Sequence, residues 1–133
     1  INKACQEVLA KGLADMGVLT VSAEESMKPE IGLHRRWTLH GVSHHLGLDV
    51  HDCAQARKEQ YLDAPLREGM VLTVEPGLYI QPDDELFAPE YRGIGIRIED
   101  DVVVTADGCR NLSEDIPRHP DAIEKWMQGI LGR

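Results

Sequence analysis

Basic residues are scarce in this chain. Lys and Arg together number 14 against 23 Asp and Glu, a formal net charge of −9. No basic run is present, and no interleaving of basic with aromatic residues. Nucleic-acid binding needs clustered Lys and Arg to neutralise phosphate, so nucleic acid is not an expected partner. The acidity reads as a source of solubility. Cysteine is also sparse: Cys5, Cys53 and Cys109 are odd in number, far apart and free of any CxxC pair. Neither a disulfide framework nor a zinc knuckle follows from them. Reduced thiols in a cytoplasmic protein fit best. No apolar run is long enough to span a bilayer and no signal peptide is recognisable, so no membrane association is expected. Internal repeats and low-complexity stretches are missing as well. The chain starts at Ile1 rather than Met, inside a stretch that reads as helix, which suggests a fragment or a processed product.

What remains is an ordinary globular composition. With 133 residues, 42% of them hydrophobic, the chain can bury one modest core. Residues 2 to 17 place Ala4, Val8, Leu9, Leu13 and Met16 at helical spacing, with Gly17 as the stop. Ser22, followed by Ala23, Glu24 and Glu25, has the form of a helix start with acids in the first turn. Pro29 and Gly32 keep that helix short. Residues 33 to 52 are punctuated by glycine and read as extended structure and turns, and residues 54 to 68 as a surface loop. The β-branched run from Val71 to Ile80 predicts a strand that Pro76 and Gly77 break or kink. Residues 93 to 99 alternate, with Arg97 and Glu99 on one face and Ile96 and Ile98 on the other. Asp100 and Asp101 read as a turn, leading to a strand over residues 102 to 105 that Ala106, Asp107 and Gly108 close. Residues 120 to 131 predict a final helix with Ile123, Trp126, Met127 and Ile130 on one face. This order of elements points to an α+β fold.

The chemistry concentrates in a few residues. His40, His44, His45 and His51 fall within twelve positions, four of the six histidines in the chain. His34 and His119 lie outside this cluster and receive no role. A lone histidine is usually a satisfied surface or core residue, and four within twelve positions shift that balance toward a site. His40 and His44 have the spacing of a helical metal pair, yet Gly41 and Gly47 argue against a regular helix there. His44 and His45 are adjacent, so on extended backbone they point to opposite faces and at most one serves a given site. Glu75 ends a β-branched run ahead of Pro76, and Glu99 ends the alternating run. From local sequence alone each is equally readable as a solvent-facing residue, and Arg97 with Glu99 as a surface ion pair. Taken together, imidazole followed by two carboxylates on successive strands suits zinc, manganese, iron or cobalt in a hydrolytic site.

Three blocks, HGVSHHLGLDVHD, GMVLTVEPGLYI and YRGIGIRIEDDVVVT, closely resemble the C-terminal half of the catalytic domain of the Xaa-Pro aminopeptidases (aminopeptidase P). These are pita-bread metallopeptidases, together with proline dipeptidase and methionine aminopeptidase. The blocks come in the family's order, and the resemblance covers essentially residues 1 to 128. It implies a single partial domain over residues 1–133, with an antiparallel curved sheet and flanking helices. It implies two divalent metals, most often Mn(II), held in the ligand order Asp, Asp, His, Glu, Glu. The histidine ligand falls on His44, the first glutamate on Glu75 and the bridging glutamate on Glu99. By the same resemblance Glu75 doubles as general base, His40 contacts the scissile carbonyl and its oxyanion, and His51 lines the proline-side pocket. Tyr79 and Arg97 match positions close to the metals, whereas His45 falls where relatives carry an aromatic residue. The aspartate ligands have no counterpart: Glu7, Asp15, Glu24, Glu25 and Glu30 precede His40, and none has the family's spacing. The chain by itself is therefore expected to be inactive, with a partial metal site.

The reaction implied is removal of the N-terminal residue from peptides with proline second. Proline dipeptidase activity and a non-catalytic pita-bread binding module are the alternatives. The pita-bread fold has two pseudo-symmetric halves sharing one core, so a lone half exposes apolar sheet surface and is expected to form a homo-oligomer.

Overall fold

Helix α1 (Asn2–Asp15) opens the chain. The computed structural model describes residues 1–53 and 55–132. α1 stops as the sequence predicts. Gly17 adopts the left-handed conformation at φ +74 and its amide bonds the carbonyl of Ala14, the usual way to end a helix without a Cβ penalty. Its buried stripe differs from the expected one. Gln6, Ala10 and Leu13 face inward, while Val8 and Met16 are exposed. The polar Gln6 belongs there because its carbonyl accepts from the buried Thr38 hydroxyl at 3.1 Å. α2 (Ala23–Ser26) starts at Ser22, whose side chain accepts from the Glu25 amide at 3.1 Å.

Two small antiparallel sheets follow. The first runs β1 (Val71–Val74), β4 (Asp100–Thr105), β5 (Gly108–Asn111), and the second pairs β2 (Gly77–Tyr79) with β3 (Gly95–Arg97). The expected turn at Asp100 and Asp101 is instead the start of β4, where the two residues pair with Val74 and Thr73. Local turn propensity loses here to the ladder with β1 and to a partner distant in sequence. Arg118 Nε holds the Asp100 carboxylate at 3.0 and 3.1 Å, and Ser113 Oγ donates to it at 2.8 Å. The close of residues 106–108 is a two-residue hairpin into β5, a strand too polar to announce itself by pattern.

On its other edge β1 receives the histidine segment. Glu75 N bonds Val42 O at 2.8 Å, Thr73 N bonds His44 O at 2.9 Å and Leu46 N bonds Val71 O at 3.0 Å, with His45 bridged to Leu72. Residues 42–46 thus extend the sheet by a short antiparallel run. The loop that follows returns to the same edge, where Asp52 N bonds His45 O at 3.0 Å.

The core is small. Leu13, Trp37, Ile80 and Phe87 pack together beneath the β2–β3 sheet, with Val18, Leu19 and Leu78 against them. Trp37 meets Phe87 edge-on at 5.5 Å. Asp84, itself buried, accepts from Trp37 Nε1 at 2.7 Å and from Arg36 Nε at 3.1 Å. Helix α3 (Pro120–Leu131) forms where expected, but it buries none of its residues, and Trp126, Met127 and Ile130 are exposed. Among the described residues no helix is long and apolar enough to cross a membrane, and Cys5, Cys53 and Cys109 are all free thiols.

Candidate metal centre

Strand register creates the site. Val74 pairs with Asp100 in one sheet and Gly77 with Arg97 in the other. Both chains therefore pass from sheet to sheet at the same level, through Glu75 and Pro76 on one side and Ile98 and Glu99 on the other. Pro76 cannot donate to a ladder, which ends β1 and frees the turn between sheets. The two carboxylates are left facing one another at this crossing. The edge run over residues 42–46 then delivers His44 beside them.

Ligand atoms of His44, Glu75 and Glu99 all lie within 4.8 Å of one another. His44 and Glu75 side chains are 16% and 12% exposed, and Glu99 is 42% exposed. His44 Nδ1 lies 3.0 Å from the carbonyl oxygen of His45. A carbonyl only accepts, so Nδ1 carries the ring proton and Nε2 of the neutral ring presents a lone pair. That lone pair faces Glu75 Oε1 at 3.1 Å. A cation placed between two acceptors this close would offset their repulsion. Imidazole nitrogen with two carboxylates is a donor set that zinc, manganese, iron and cobalt all accept. A metal at 2.0–2.2 Å from each ligand needs donors no more than about 4.4 Å apart, within a small side-chain rotation of the arrangement present.

The surrounding residues form one connected set. Arg97 Nε lies 3.9 Å from both Glu75 Oε2 and Glu99 Oε2. The Tyr79 oxygen, followed by those two carboxylates, holds the guanidinium above its ordinary pKa and keeps it charged. Tyr79 in turn bonds His40 Nε2 at 2.7 Å, and His40 Nδ1 donates to Gly41 O at 2.6 Å. Both ring nitrogens of His40 are therefore engaged, with Nε2 as the acceptor from the Tyr79 hydroxyl. His51, carried back by the loop after Gly47, places its ring edge-on to His44 at 4.4 Å between centroids.

The structure thus brings His40, His44, His51, Glu75, Tyr79, Arg97 and Glu99 to one place. His45 points away from it and packs on Tyr61 at 4.9 Å, as alternation along an extended run requires. His34 is buried on Ser26, at 2.9 Å from its carbonyl, and His119 is exposed beside Asp121. Sequence reasoning missed three contributors. Thr73 donates to Glu75 Oε1 at 3.1 Å. Gly77 and Gly95 cradle the Tyr79 ring, because a Cβ on either would lie 2.6 or 2.9 Å from it. The available signals were a hydroxyl two residues ahead of Glu75 on the same strand face, and glycines in strands where side chains are usual.

Residues 1–106 match the metallopeptidase family M24. The chain belongs to that family. It is 57% identical over 131 residues to Xaa-Pro aminopeptidase 1 of Streptomyces coelicolor, covering 98% of this chain and 26% of that protein. It is 45% identical over 120 residues to the Xaa-Pro aminopeptidase of Escherichia coli, covering 90% of this chain and 26% of that one. Its fold superposes on aminopeptidase P from E. coli with the inhibitor Pro-Leu at a TM-score of 0.83 and 41% identity, covering 98% of this chain and 29% of that one. For Pseudomonas aeruginosa aminopeptidase PepP the values are 0.86, 37%, 99% and 29%. The chain spans about a quarter of the length of the curated relatives it matches. Its fold is accordingly a portion of the pita-bread fold.

Proposed function

We propose that this chain forms the His–Glu–Glu part of the metal centre of an aminopeptidase that removes the N-terminal residue from peptides with proline in second place. The observation that carries this reading is the convergence of His44, Glu75 and Glu99, each delivered by a different strand segment to one sheet crossing. In this reading His44, Glu75 and Glu99 are the ligands this chain offers to a pair of divalent ions, Mn(II) being the favoured metal, and two aspartates from outside these 133 residues complete the set. A divalent metal bound there supplies Lewis-acid activation of a water and of the scissile carbonyl.

The residues of the chain then have defined tasks. Glu75 takes the proton of the attacking water and passes it to the leaving proline nitrogen. His40 is the group that stabilises the tetrahedral oxyanion in this reading, its ring turning from the Tyr79 hydroxyl that engages Nε2 in the substrate-free chain. His51 flanks the same spot and selects proline after the scissile bond. Arg97 lies 3.9 Å from both glutamates and orients them. The similarity to several proteins named Xaa-Pro aminopeptidase supports this reading over a proline dipeptidase.

The test is a calorimetric titration of the chain with Mn(II), beside a Glu75→Ala, Glu99→Ala variant. About one ion bound per chain, lost in the variant, is the expected result. Binding that survives in the variant overturns the ligand assignment. Rates on an Xaa-Pro dipeptide and on an Xaa-Pro tripeptide, measured with a protein that contains this chain and its aspartate partners, separate the two peptidase specificities. A faster tripeptide supports the aminopeptidase.

A further inference from the structure

Thr73 is buried in the middle of β1 and touches both ligand-bearing segments. Its amide donates to the His44 carbonyl at 2.9 Å, and its Oγ1 accepts from the His44 amide at 3.1 Å. The same hydroxyl donates to Glu75 Oε1 at 3.1 Å. The direction of these bonds is forced. A backbone amide can only donate and a threonine hydroxyl has one proton, so that proton goes to Glu75. The carboxylate torsion of a glutamate is otherwise broad, and one fixed donor narrows it. Glu75 Oε1 is also the oxygen that faces His44 Nε2 at 3.1 Å. Backbone of His44, hydroxyl of Thr73, carboxylate of Glu75 and ring of His44 therefore close into a single loop of contacts.

We propose that Thr73 is a positioning residue for the metal centre: its hydroxyl turns the Glu75 carboxylate so that Oε1 meets the ion shared with His44. The same hydroxyl also ties the edge run over residues 42–46 in the register that brings Nε2 to that ion. The proposal rests on the reading of His44 and Glu75 as ligands. Groups that orient metal ligands from behind change affinity by roughly ten- to a hundredfold when removed.

The experiment compares the parent chain with Thr73→Val, Thr73→Ser and His44→Ala. Mn(II) affinity is read by calorimetry, stability by thermal melting, and the Glu75 position by crystal structures of the metal-free parent and Thr73→Val. Valine keeps the shape of threonine and removes the hydroxyl, whereas serine restores it. The expected result is Mn(II) binding weakened about tenfold or more in Thr73→Val and recovered to within about threefold in Thr73→Ser. If Thr73 only satisfied the His44 amide, melting temperature would follow that pattern while Mn(II) affinity stayed within about threefold of the parent, which overturns the proposal. If Thr73→Val binds like the parent while His44→Ala abolishes binding, the ligand reading stands and the Thr73 proposal falls. If His44→Ala binds normally, or no chain binds, the ligand reading falls and the metal-free structures decide the positioning role. Glu75 Oε1 remaining in hydrogen-bond range of His44 Nε2 in Thr73→Val overturns it, and its departure supports it.

Discussion

Asp84 and Asp100 show how individual carboxylates hold this fold. Arg36, with help from Trp37 and the Leu86 amide, holds the buried Asp84 below the usual carboxylate pKa. Arg118, with Ser113 and Asn111, does the same for Asp100. Both start from an ordinary value of 3.8, and both are lowered in the folded chain. Their contribution to stability is whole above that value, shrinks as pH falls below it, and vanishes below the folded-state value. Urea denaturation at pH 7 and at pH 3 should show a lower midpoint in acid, and Asp84→Ala should flatten that difference. The same substitution leaves the Trp37 indole N–H buried without a partner and should cost about 2–4 kcal/mol at neutral pH. At this scale the sequence was partly readable. Alternation separated His44 from His45 correctly, because period-two geometry needs no knowledge of distant partners. Thr73, Asp84 and Gly77 were not readable, because each acts through a residue that only the fold brings near.

At the scale of elements, the candidate site depends on two sheets sharing one crossing. The helix stop at Gly17, the Ser22 cap and the break at Pro76 were all legible, since each follows from local backbone chemistry. The start of β4 and the existence of β5 were not: a pair of aspartates looks like a turn until Arg118 and the β1 ladder are known. The crossing also needs Tyr79 to lie flat over two glycines. Gly77→Ala would put a methyl group 2.6 Å from the Tyr79 oxygen. It should displace the ring, separate Tyr79 from His40 and destabilise the chain by about 1–3 kcal/mol. A denaturation curve and a crystal structure of the variant check both effects. An unmoved ring would show that the slot is wider than its glycines suggest.

Across the whole molecule, apolar surface is left uncovered in two places. Ile96 in β3 is 57% exposed and Trp126 in α3 is 52% exposed, with Ile94, Ile98 and Ile130 beside them in sequence. Ile96 and Ile98 are both exposed, and none of the described residues covers them. We expect the chain on its own to self-associate through these surfaces. Light scattering across a concentration series should give a mass above that of one chain, and an Ile96→Glu, Trp126→Glu variant should return toward the single-chain mass. A single-chain mass for the parent at high concentration would sink the idea.

Arg97 has a consequence for the life of the site. Its guanidinium sits 3.9 Å from each of two glutamates that otherwise would face each other as bare like charges. Like charges this close disfavour one another unless an opposite charge lies within a few ångströms. Here the opposite charge is tethered to the chain itself. It offsets one of the two negative charges, so in the proposed reading a cation would find the glutamates already held near one another and would compete with an arginine that cannot diffuse away.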